Sequence, residues 1–281
     1  MIEGLTEPLG QAFFLRALGA AVIVGLVCAV VGTYVVLKGL AFIGDAVSHA
    51  AFPGVVAAYL FNGPYLLGAG VAAVATALAV GWVRRRAAIR ADTAIGVLFA
   101  GTFALGILLF STIDGYVGDL FGFLFGYLLA TTVEDLVGLA ILAALVLLTV
   151  ALLWKQLLYS TFDPLGAAAS GIRVERLEAL FLALVAVTIV ISLQAVGIVL
   201  VVAMLVTPAA TAQLLVVRFG SMMAVAVAVG VVGAVAGLYL SYWLDVATGA
   251  TIVLVQTALF ALALLVGPRT GLLARRRPAL A

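Results

Sequence analysis

Long apolar runs, separated by short polar or Gly/Pro-containing intervals, organise the chain from residue 14 to residue 267. They fall near 14–37, 45–61, 65–83, 94–111, 136–154, 177–193, 195–217, 220–243 and 249–267. Each approaches the roughly 20 residues that a helix needs to cross the hydrocarbon core of a bilayer. Lipid offers backbone N–H and C=O groups no partners, so a spanning segment must bond internally, as a helix does. The pattern predicts an all-α, polytopic membrane bundle of about nine transmembrane helices. Barrel strands are excluded, because they alternate over segments of about ten residues and these runs are longer and continuous. A shorter apolar piece at 119–130 is too short to cross and reads as interfacial or re-entrant.

Composition removes the soluble alternatives. Of 281 residues 67% are apolar and only 9% charged, against about 25% charged in soluble domains, and the mean hydropathy is +1.37. One transmembrane domain, 1–281, accounts for the chain. Its net charge of +2 is too small and too scattered for a nucleic-acid surface. The basic residues instead cluster between runs: Lys38, Arg84 to Arg86 with Arg90, Lys155, Arg173 with Arg176, Arg218, and Arg275 to Arg277 in a basic tail at 269–281. With nine crossings all of them fall on one side, which the positive-inside rule makes cytoplasmic; the N-terminus is then outside and the C-terminus inside. Asn62, Asp114, Asp119 and Asp245 fall on the outer side with Glu134 and Asp135, and read as solvated loop residues. The first residues lack the basic stretch of a cleavable signal peptide, so the first span is expected to be retained. Gly230, Gly233 and Gly237 mark close helix packing rather than a substrate site. The lone Cys28 excludes an internal disulfide. No GxxxxGK[ST] phosphate loop is present, so ATP hydrolysis has no recognisable site on this chain.

Chemistry is left to a few polar residues inside the runs, where ionisable groups cost a few kcal/mol and are functional candidates. In FIGDAVSHAAFPG, Asp45 and His49 stand four apart and share one helix face, with Ser48 beside them. Two readings fit. Asp45 caps the second span and His49 is a packing residue, or the carboxylate and imidazole form half of a site for a divalent first-row metal. Gly39, Gly44, Pro53 and Gly54 bracket the pair and suit a broken helix lining a cavity, which favours the second. A second locus, SLQAVGIVLVVAMLVTPAATAQ, puts Gln194 at a helix junction and Thr207 and Pro208 deep in a run, where Pro208 should kink the helix and free a carbonyl. A structural kink is the commoner explanation, a pathway the alternative. The third locus is the loop 155–176, whose apolar, helix-compatible stretches around Asp163, Pro164 and Gly171 suit a docking surface better than a tether.

Together these segments resemble the manganese/zinc/iron permease family of ABC importers, over about residues 12–268. The resemblance rests on LKGLAFIGDAVSHAAFPGV at 37–55, DTAIGVLFAGTFALGILL at 92–109, YSTFDPLGAAASGI at 159–172 and VGIVLVVAMLVTPAATAQLL at 196–215. It implies a plasma-membrane permease that pairs with a second permease subunit, a copy of itself. A separate cytoplasmic ATPase and an extracytoplasmic metal-binding protein complete the system, with membrane lipid around it. The family's GDxxSHxxxPG residues that contact metal match Asp45 and His49, and its ATPase-coupling segment matches Phe162, Asp163 and Gly171, with Pro164 between them. The Phe52-Pro53-Gly54 sequence looks more like manganese- and iron-type members. No permanently bound cofactor is implied; the metal is cargo.

The expected function is inward movement of a divalent metal by alternating access, with manganese favoured and zinc or iron open, since carboxylate and imidazole bind all three. Three rivals stand beside it. A proton-coupled secondary transporter would use Asp45 and His49 as a relay, a chelate permease would need fewer ionic ligands, and a membrane scaffold would leave the pair without purpose.

Overall fold

Every apolar run folds as helix in the computed structural model of the chain, which describes residues 7–87, 89–113 and 128–267. The helices are α1 Ala12–Leu37, α2 Ile43–Leu60, α3 Tyr65–Arg86, α4 Ala91–Phe110, α5 Val133–Leu152, α6 Trp154–Phe162, α7 Pro164–Ala169, α8 Val174–Leu215, α9 Phe219–Leu244 and α10 Thr248–Val266. Among the described residues there is no strand. Seven helices among the described residues are long and apolar enough to cross a membrane. α2 is not among them, because Asp45, Ser48, His49 and Pro53 dilute its 18 residues.

α8 merges two predicted spans. Its 42 residues would reach about 63 Å as a straight helix, twice the bilayer core. Gly197 interrupts it at φ 78°, ψ 170°, a backbone region open in practice only to glycine. The sequence placed this junction at Gln194, three residues earlier. With the two arms of α8 counted separately and α2 added, nine segments match the nine predicted runs. Pro208 sits in the second arm, and the departure from helical dihedrals in α8 falls at Gly197 rather than there. Of the piece at 119–130, Leu128–Ala130 form a 3-10 turn; the rest, like Asp114, Asp119 and the tail 269–281, lies outside the described residues.

The chain divides into two compact units. The first takes 1–36, 128–137 and 199–281. In it Gly230 meets Gly25 of α1, while Gly233 and Gly237 receive Gln256 and Ile252 of α10, so all three glycines serve close packing. Phe14 packs edge-on against Tyr239 and Tyr242 at 5.0 and 5.4 Å. α5 begins with reciprocal bonds, Thr132 Oγ1 accepting from Asp135 N and an Asp135 carboxylate oxygen from Thr132 N, both at 3.1 Å. Asp135 is thereby a helix-capping residue.

The second unit takes 37–127 and 138–198 and holds the candidate metal-binding pair. α2 is its centre, flanked by α3 and α4 and buried along most of its length. α4 is more apolar than α2, yet only 17% of its spanning window is buried. Left-handed Asn62, with Gly63 and Pro64 after it, reverses the chain between α2 and α3.

Candidate metal-binding pair and docking loop

The first turn of α2 places Asp45 inside the helix rather than at its cap. The cap position belongs to Phe42, whose side chain makes no capping bond, and Asp45 is the third helical residue. Its carboxylate lies 3.4 Å from His49 Nδ1. The same imidazole nitrogen is 2.9 Å from the Asp45 carbonyl oxygen. Donation of the Nδ1 proton to that carbonyl leaves the Nε2 lone pair to face a ligand, the arrangement in which a neutral imidazole binds metal. Ser48, fully buried, donates to the same carbonyl at 2.9 Å and lies 3.5 Å from Nδ1. Ser48 therefore steadies the turn. The side chains of His49 and Asp45 remain 26% and 49% exposed, open to an arriving ion.

An aromatic wall holds the imidazole. Phe99 and Phe103 of α4 meet the His49 ring nearly at right angles, with centroids 5.2 and 5.6 Å away, and they stack on each other at 6.0 Å. Phe52 continues the wall toward Phe110. Sequence reading quoted this segment of α4 without giving its phenylalanines a role. Their spacing of four, matching that of Asp45 and His49, was the available signal.

The position of α2 is set by close backbone contact. Gly54 of α2 lies against Gly68 of α3, so that a Cβ on either would strike the other's carbonyl oxygen, while Gly106 of α4 lies against Phe52 and Pro53. α2 runs unbroken through Pro53, and the interruption lies before it, at Gly39 with φ 65°. Beside this crossing a groove of about 610 Å³ opens between α2, α3 and α4, lined among others by Pro53, Gly54, Gly68 and Leu105.

Among the described residues no third His, Cys, Asp or Glu joins Asp45 and His49 to complete a cluster. Two donors alone do not fill the coordination sphere of a divalent metal. The remaining pathway candidates belong to α8. Gln194 is exposed, one turn before the Gly197 break. Thr207, whose carbonyl accepts from Thr211 Oγ1 at 2.7 Å, and buried Pro208 belong to the other unit.

The loop 155–176 is built as two short helices. Asp163 caps α7 by accepting from Gly166 N at 2.8 Å, Pro164 occupies its first position, and Gly171 at φ 84° follows its end. Tyr159 reaches Ser170 Oγ at 3.4 Å and ties the start of the loop to its end. Leu157 and Ala167 are buried, whereas Phe162 and Leu165 are 64% and 83% exposed. Three residues picked from the sequence thus shape α7 and Phe162 is displayed, together with Leu165, which sequence reading missed.

Residues 11–267 match the ABC 3 transport family. The chain belongs to that family. It is 46% identical over 269 residues to the manganese transport system membrane protein MntC of Halalkalibacterium halodurans, covering 96% of this chain and 92% of that protein. It is 40% identical over 276 residues to the chelated iron transport system membrane protein YfeC of Yersinia pestis, covering 98% and 94%. Its fold matches PsaBC from Streptococcus pneumoniae, solved in complex with Fab, with a TM-score of 0.86, 34% identity and coverage of 99% and 100%. The motifs at 37–55, 92–109, 159–172 and 196–215 therefore lie in a multi-pass membrane transport subunit of the family, not an enzyme.

Proposed function

We propose that the chain is the permease subunit of an ABC importer that passes a divalent transition metal inward by alternating access, with Asp45 and His49 as its transient ligands. The observation that carries this reading is the pair itself: a half-exposed carboxylate and an imidazole whose tautomer is set by the Asp45 carbonyl and whose ring is held by Phe99 and Phe103. A sparse donor set suits transit, since a complete cage would trap the ion. Carboxylate and imidazole without thiolate favour manganese over softer ions, with iron or zinc as the competing cargo.

In the same reading two copies form the translocating dimer, and a separate ATPase docks on α7 through Phe162 and Leu165. An extracytoplasmic binding protein delivers the metal. The C-terminus is cytoplasmic and the N-terminus outside, because the basic loops then face inward. Reconstitution with the ATPase and binding protein, followed by measurement of ATP-dependent manganese, zinc and iron uptake, tests the class and the cargo. Asp45→Ala and His49→Ala are expected to abolish uptake while the assembled complex still hydrolyses ATP. Undiminished uptake by both variants would refute the site, and uptake that ignores ATP would refute the importer.

A further inference from the structure

A second polar constellation lies at the basic end of α3, where the helix closes with Trp82-Val83-Arg84-Arg85-Arg86. Arg84 Nη2 donates to Glu178 Oε1 of α8, and Arg85 Nη1 lies 3.7 Å from the other carboxylate oxygen. Lys38 Nζ stands 5.6 Å above the centre of the Phe181 ring. Glu178, Phe181 and Leu182 share one face of α8 by their spacing, and Leu182 packs against Gly81 of α3, closing the floor beneath the charges. Among the described residues Glu178 is the one carboxylate within salt-bridge distance of Arg84 and Arg85, and none lies within that distance of Lys38. The positive charge is therefore in surplus. Burial, and then the neighbouring Arg84 charge, lower the Lys38 pKa from its ordinary value.

Position says where that counter-charge comes from. Trp82, 57% exposed, precedes the arginines at the end of a helix long and apolar enough to span a bilayer, and tryptophan concentrates at the membrane interface. The arginine and lysine side chains thus stand at headgroup depth. Arg84 and Arg85 are 27% and 32% exposed, held by Glu178 from one side and open on the other. Arg90 differs: it is 88% exposed and paired loosely with Asp92 at 3.9 Å.

We propose that Lys38, Arg84 and Arg85 form a binding site for the phosphate of an anionic phospholipid headgroup. Guanidinium groups match phosphate oxygens in pairs, Lys38 adds a point charge, and Glu178 orients both arginines without neutralising the set. Basic pockets between membrane helices recognise anionic headgroups by this chemistry.

The test uses the full chain purified in neutral detergent. Phosphatidylglycerol, phosphatidylcholine or inorganic phosphate is added, and bound lipid is counted by native mass spectrometry alongside the melting temperature. Phosphatidylglycerol is expected to stay bound and to raise the melting temperature, whereas phosphatidylcholine and inorganic phosphate do neither. Lys38→Gln and Arg85→Gln should each weaken phosphatidylglycerol retention about fivefold, Lys38→Arg should restore it, and Arg90→Gln should leave it unchanged. Four results overturn the proposal: equal retention of phosphatidylcholine, an equal shift with inorganic phosphate, equal loss in Arg90→Gln, or normal lipid retention with loss of the co-purifying ATPase in Arg85→Gln. Circular dichroism shows whether each variant has kept its helices, and the comparison of phosphatidylglycerol with phosphatidylcholine on the unaltered chain keeps the test decisive if a glutamine variant does not fold.

Discussion

The crossing of α2 over α3 offers the sharpest test of how the metal-binding pair is positioned. Adding one methyl group at Gly54 places a carbon 2.6 Å from the Gly68 carbonyl carbon and 2.7 Å from the Ala72 Cβ, where ordinary contact begins at 3.4 Å. Two of the obstructing atoms are helix backbone, the nearer being the Gly68 carbonyl oxygen, and cannot rotate away, so α2 and α3 must part by about an ångström. Overpacking of this kind costs about 1–3 kcal/mol, and a gap of about 0.5–1 Å forfeits a quarter to a half of each dispersion contact along the interface. Against this, alanine gains about 1 kcal/mol over glycine in helix propensity. The net expectation for Gly54→Ala is a loss of up to about 2 kcal/mol, which lowers the melting temperature by up to about 8 °C. Gly70, on α3 with nothing near its would-be Cβ, is the internal control; Gly70→Ala should be neutral or up to about 1 kcal/mol stabilising. Thermal unfolding of both variants in one detergent checks the contrast, and metal uptake should fall in Gly54→Ala because α2 carries Asp45 and His49. Equal melting temperatures for the two variants would refute the reasoning.

Three further outcomes follow from named contacts. Gly197→Ala forces a side chain into backbone space that only glycine occupies freely, and should cost about 1–3 kcal/mol, read as a lowered melting temperature. Asp163→Ala removes the α7 cap and about 1 kcal/mol of local stability; co-purification of the ATPase should weaken, and more severely in a Phe162→Glu, Leu165→Glu double variant that leaves the cap intact. Glu178→Gln leaves Arg84 and Arg85 facing a neutral amide; the loss of charged hydrogen bonds should cost about 1.5–3 kcal/mol, measured by thermal unfolding, and Glu178→Asp should recover part of it.

Asp45 and His49 were legible as a pair because helical spacing alone brings residues four apart onto one face, and the helix there is dictated by the solvent. Their surroundings were not. Phe99 and Phe103 reach His49 from a helix some fifty residues away, and Arg84 meets Glu178 across 94 residues; no local pattern encodes such partners. The arginines at 84–86 could be read for topology, which depends on charge alone, but not for the carboxylate that orients two of them. Asp163, Pro164 and Gly171 were legible because cap, first-turn proline and left-handed glycine act within a few residues.

The sequence by itself determined that this protein is a helical membrane bundle, roughly how many apolar segments it has, and where most of the described ones end. Backbone groups in lipid must bond within their own segment, and the polar and Gly/Pro interruptions are local events. Tertiary structure decided which apolar helix is buried within the chain and which is left on its surface. α1 and α4 are both strongly apolar, yet 67% of the spanning window is buried in one and 17% in the other. Lipid tails are as apolar as a protein interior, so a membrane helix carries little hydrophobic asymmetry to announce its inner face. Steric fit settles it instead, through contacts such as Gly54 on Gly68 that arise only once the helices are packed.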